Sequence, residues 1–301
     1  MSPQSPQNET VRRVALYGVA ALVVGGLGYA TFGIERDADY LTLIGSSQIH
    51  AELAGQIPAD VGDPEIVTLR KKLIADSRDF LERAERQEPD QFDTRQMHAY
   101  LAFVEGDFAA SASMYREMRS WPGLDRETLD RLLVREAKAL SNDDCSEAAL
   151  AVLDEHGGSG TESDRVVVES LRVRLLDRIG RSEDARRAAV GLAEASADGS
   201  DGVRTAATLL EALGAWSDAE GVWDRADPSA AVRDYHRARL KLRSGETDNA
   251  FRLLESTLAG GNPEVANLLR QDREVWETEG GRSLESLIDS DVGPAAPAAG
   301  R

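Results

Sequence analysis

Along most of this chain the apolar positions recur every three or four residues, the spacing that gathers them on one face of an α-helix. The segments that keep this spacing are short, and glycines or acidic pairs punctuate them. The pattern predicts an all-α protein built from helix-turn-helix units. In 209–228, LLEALGAWSDAEGVWDRADP, Gly214 is expected to make the turn. Ala219 then stands where two helix axes approach closely, and Trp223, four residues on and on the same face, fills the space beside it. Ala226 continues that face, Pro228 helps end the helix, and Trp216 is expected to pack across the turn.

The same register recurs along the chain. Turn positions at Gly106, Asp143, Gly180, Gly214 and Gly245 follow one another at offsets of 37, 37, 34 and 31 residues. Five residues after each stands a small side chain: Ser111, Ala148, Ala185, Ala219 and Ala250. Bulky residues such as Tyr115, Trp223 and Leu254 come four positions later, one helical turn further on. A partial sixth unit precedes these in 79–90, with Ala84 and Pro89 in register. In the preceding helix of each unit, the small close-contact site is held by Ala99, Ala207 and Ala238; Val173 and Glu136 depart from it, which points to a register slip there.

On these residues the chain resembles the tetratricopeptide repeat family, whose units have a turn Gly, Ala, a bulky residue, Ala and a terminal Pro. GAWSDAEGVWDRADP (214–228) and GDFAASASMYREM (106–118) carry the likeness best, and it extends over 66–260. The resemblance implies an α-solenoid of about five to six repeats. It also implies a binding groove lined by the first helix of each unit, and no enzymatic chemistry.

Outside the repeats, 14–34 is 21 residues without a charge, enough for a helix to cross a hydrocarbon core. Arg12 and Arg13 precede it and Glu35, Arg36, Asp37 and Asp39 follow, which predicts a cytoplasmic tail over 1–13 and a C-terminal portion on the extracytoplasmic or periplasmic side. A cleaved signal peptide is the competing reading, since small residues stand at Gly28 and Ala30. Gly18, Ala21, Gly25 and Gly28 share one face of the span, a surface suited to helix pairing in the membrane. A juxtamembrane helix and linker are expected over 35–65, with Leu41, Leu43, Ile44, Ile49 and Leu53 completing a first unit. Capping helices are expected over 261–291, with 262–281 as one helix, and a disordered tail over 292–301.

Charge and composition narrow the chemistry. Acidic residues outnumber basic ones 53 to 35, a net charge of −18 that repels nucleic acid and anionic headgroups. The single cysteine, Cys145, excludes an intrachain disulfide and the usual zinc patterns. The four histidines, His50, His98, His156 and His236, lie in different segments and show no ligand spacing. HGGSGTES (156–163) lacks the lysine of a phosphate loop and reads as a connection in which Thr161 or Ser163 caps the next helix. No cofactor, metal or catalytic set is expected.

In the register above, the outward positions of the first helices are Gln96, Tyr100 and Phe103, then Leu133 and Leu140, then Arg174 and Arg178, then Arg204, and finally Tyr235, Arg239 and Arg243. Aromatic and arginine side chains are those that anchor peptides. The expected function is a membrane-anchored scaffold or adaptor holding a protein or extended peptide; oligomeric state is not legible. The alternatives are a small-ligand or lipid-binding envelope protein, or a chaperone-like factor beside a translocon or in cytochrome c maturation.

Overall fold

A computed structural model of the protein describes residues 37–156, 161–227, 229–272 and 276. The described residues contain thirteen α-helices and no strand. The predicted span 14–34 with Gly18, Ala21, Gly25 and Gly28, and the tail 292–301, lie outside them. Among the described residues no helix is long and apolar enough to cross a membrane.

The helices fall into two compact units that divide after Asp144. The N-terminal unit holds α1 (Asp37–Gly55), α2 (Pro64–Gln87), α3 (Phe92–Glu105), α4 (Phe108–Met118) and α5 (Arg126–Asn142). Each packs on its successor, and α1 also packs on α3. The break between α1 and α2 ends at Asp63, whose side chain accepts from the Glu65 N–H, with Pro64 opening the helix. Leu43 and Ala84 join one core cluster, and Ala51, Leu81, Met97 and Leu101 another, so α1 is part of the packed unit. Of its expected apolar set, Leu41 is the exception at 55% exposure. Between α1 and α2 the Ser47 and Ser77 hydroxyls meet at 2.9 Å, a buried contact that needs two small side chains.

The C-terminal unit holds α6 (Ser146–Asp154), α7 (Glu162–Arg178), α8 (Ser182–Glu194), α9 (Asp201–Ala212), α10 (Trp216–Ala226), α11 (Ala230–Arg243), α12 (Thr247–Leu258) and α13 (Pro263–Gln271). Successive helices pack on one another, and α7 with α9, α8 with α10 and α11 with α13 add contacts one further along. Thr161 caps α7 in a reciprocal box with Asp164. Instead of one helix over 262–281, α13 stops at Gln271; Trp276 beyond it is fully buried in the cluster with Tyr235, Phe251 and Val265.

Four turns share one geometry. Gly106, Gly180, Gly214 and Gly245 have φ of 91°, 78°, 70° and 88°. After each, the next N–H returns to the carbonyl five residues back: Asp107 to Ala102, Arg181 to Leu176, Ala215 to Leu210 and Glu246 to Lys241, at 2.8–2.9 Å. This is the glycine-terminated helix end that satisfies the last orphan carbonyls. The small residues behind the turns, Ser111, Ala185, Ala219 and Ala250, are all fully buried, and the Ser111 hydroxyl donates to the Ala99 carbonyl at 2.8 Å. The Trp216 ring lies 3.8 Å from where a Cβ on Gly214 would stand.

The unit expected to turn at Asp143 differs by one residue. Asp143 has an ordinary φ of −90°, and Asp144, at φ 56°, takes the left-handed conformation. Aspartate is among the few non-glycine residues that visit it readily. The slip moves everything behind it: Ala148 is exposed and Ala149 is fully buried, while Ala137 takes the small-residue site assigned to Glu136. Glu136 is buried as well, and it accepts from Arg116 Nε at 2.9 Å and Arg119 Nη1 at 3.1 Å.

Candidate functional site

Three expected groove residues, Gln96, Tyr100 and Phe103, come together in the N-terminal unit. They project from α3 into a cleft of about 400 Å³ whose other walls are α1, with Gln48 and Glu52, and α5, with Arg135 and Lys138. An adjoining cleft of about 460 Å³ shares Glu52, Tyr100 and Phe103 and reaches the 55–59 turn and Phe108. All three α3 side chains are partly exposed, and Phe103 is braced edge-on by Phe108 at 5.3 Å. Arg70 supports this wall from behind, donating to the Ile57 carbonyl at 3.2 Å and to the Val104 carbonyl at 2.5 Å.

The cleft is electrically asymmetric. On the α1 wall Glu52 accepts from Gln48 Nε2 at 2.7 Å. Loss of hydration, and then the charge of Glu52, hold the Tyr100 phenol above its usual pKa, with Arg135 opposing. On the α5 wall Arg135 stands 5.9 Å from the centre of the Tyr115 ring, a cation over a buried aromatic face. The Lys138 ammonium is held below its usual pKa, first by loss of hydration and then by Arg135 beside it. Among the described residues neither Arg135 nor Lys138 is ion-paired to a carboxylate, whereas Arg78, Arg95, Arg116 and Arg119 in the same unit all are.

Two expected groove positions on α5 are corrected. Leu133 and Leu140 are 1% and 7% exposed and belong to the interior. The slip at Asp144 rotates the register of α5, so Lys138, six residues before the true turn residue, occupies the place that Tyr100 holds before Gly106. Arg135, Lys138, Gln48 and Glu52 were missed. The signal for Lys138 was present in the misfit of Glu136.

The remaining groove candidates belong to the C-terminal unit. Arg174, Arg178 and Arg243 are exposed, and Arg204 is paired with Asp201 within its own helix at 3.0 Å. Tyr235 is a correction: it is fully buried, enclosed by His236 and Trp276, and its hydroxyl donates to Asp272 at 2.8 Å. Arg239 is only 16% exposed; it donates to both Glu211 oxygens at 2.7 and 2.8 Å and to Asp272 at 3.0 Å. These two residues hold α9, α11 and the segment after α13 together. Among the described residues no group of three His, Cys, Asp or Glu side chains is placed to hold a metal ion.

No protein-family model matches the chain, and no curated protein matches it.

Proposed function

We propose that the protein is a non-enzymatic, membrane-anchored scaffold of tetratricopeptide type, an α-solenoid that holds a protein or an extended peptide against the first helices of its N-terminal unit. The observation that carries this reading is the cleft itself. Half-exposed Tyr100 and Phe103 offer flat apolar contact at low entropic cost, and Gln48 and Gln96 offer paired donors and acceptors suited to a peptide backbone. The apolar run over 14–34 is read as the anchor, with the helical units on the extracytoplasmic side.

The test is site-specific photo-crosslinking in native membranes, with the crosslinker at Tyr100 and a control at exposed Arg86 on α2. A discrete protein adduct from Tyr100, absent from Arg86, is the expected result. Equal labelling from both positions, or lipid and small-molecule adducts alone, rejects the peptide groove.

A further inference from the structure

The cleft carries information about its occupant as well as its place. The chain has an excess of acidic residues, 53 against 35, and elsewhere in the N-terminal unit Arg78, Arg116 and Arg119 are paired with carboxylates, while Arg70 of the adjoining cleft donates to backbone carbonyls. Arg135 and Lys138 are the two cations in the lining of this cleft: one turn of α5 presents both to it, and no carboxylate of the described residues is ion-paired to either. Two like charges side by side disfavour each other, and desolvating them further without a counter-charge is costly. The carboxylate in the lining, Glu52, is on the opposite wall and already accepts from Gln48.

We propose, resting on the scaffold reading above, that the occupant is an extended peptide segment bearing an acidic side chain, whose carboxylate sits against Arg135 and Lys138 while a neighbouring apolar side chain lies on Tyr100 and Phe103. A purely apolar ligand leaves the two cations without a counter-charge, and a small inorganic anion leaves the aromatic and amide surface unused. Guanidinium and ammonium donors shorten and strengthen hydrogen bonds to a carboxylate. Glu52 on the far wall repels a second acidic group, so the polarity of the cleft also sets the direction in which the segment lies.

The experiment selects binders from a random peptide library on the full-length protein, then titrates an enriched peptide by fluorescence against the same peptide with its Asp or Glu changed to Asn or Gln. The expected enriched set carries an acidic residue next to an apolar one. The neutralised peptide and the Lys138→Glu protein each lose binding by about tenfold or more, with Lys138→Gln between. Lys138 reaches the surface, so these variants keep the fold, and their circular dichroism spectra should match that of the parent. Enriched peptides that depend on Tyr100 but lack acidic residues, or an acidic peptide indifferent to Lys138→Glu, would overturn the acidic occupant and leave the groove reading standing. If no enriched peptide is weakened by Tyr100→Ala, both readings fall. If succinate or inorganic phosphate binds through Lys138 while peptides do not, a small-anion site replaces them.

Discussion

At the scale of single residues, two glycines ten positions or fewer apart have opposite roles. Gly214 has φ of 70°, a conformation that carries a steric penalty for any residue with a Cβ. Gly221 lies inside α10 with nothing within 4 Å of where a Cβ would go. The expected outcome is that Gly214→Ala destabilises by about 1–2 kcal/mol and Gly221→Ala stabilises by about 0.5–1 kcal/mol, both read from urea midpoints at constant slope. Equal effects would mean that the turn does not require the left-handed conformation. The same physics explains what was hard to read at Asp144. A glycine advertises a turn because only it adopts positive φ freely, whereas an aspartate beside another aspartate does not reveal which of the two turns. One residue of error then rotates the adjoining helix by about 100°, which turned Leu133 and Leu140 outward on paper and hid Lys138.

At the scale of elements, α9, α10 and α11 meet around a stacked pair. The rings of Trp223 and His236 lie 3.5 Å apart and 5° from parallel, and the Trp223 indole donates to Glu211 at 2.5 Å. His236 is 7% exposed, and burial, then the nearby Arg239 charge, push its pKa down to about 3, with Asp272 opposing. The folded protein therefore holds His236 neutral where the unfolded chain, near 6.5, already takes up a proton. More protons bound by the unfolded state means that stability rises with pH across this window and is lost on acidification from about 6.5 toward 3. The contribution approaches roughly 1.4 kcal/mol per pH unit at its steepest. Replacing His236 with Phe keeps a flat ring against Trp223 and removes the proton. The variant should show a correspondingly shallower decline in thermal or urea stability between pH 6.5 and 5, before carboxylates dominate. An unchanged slope would place the acid sensitivity elsewhere. The helices themselves were legible because periodicity, turn residues and small residues agree. Tyr235 and Arg239 were not, because their burial depends on Trp276 and Asp272, which lie far along the chain and beyond the last recognisable repeat.

At the scale of the whole molecule, the helical units and the apolar segment ahead of them are separable problems. Among the described residues, the core clusters run from Tyr40 in α1 to Trp276 after α13. The run over 14–34 has no charged residue, whereas the chain as a whole is 29% charged. A segment of that length and composition is long enough for a bilayer, where it would lie apart from the helical units. Folding and localisation should therefore respond independently to its removal. A chain beginning at residue 37 is expected to keep the helical circular dichroism and the cooperative unfolding of the full-length protein. In cells, the full-length protein should stay with membranes through alkaline carbonate washing, and the shortened chain should be released into the supernatant. Release of both would reject the anchor while leaving the cleft unaffected. Loss of helical structure in the shortened chain would mean instead that residues before 37 belong to the packed fold.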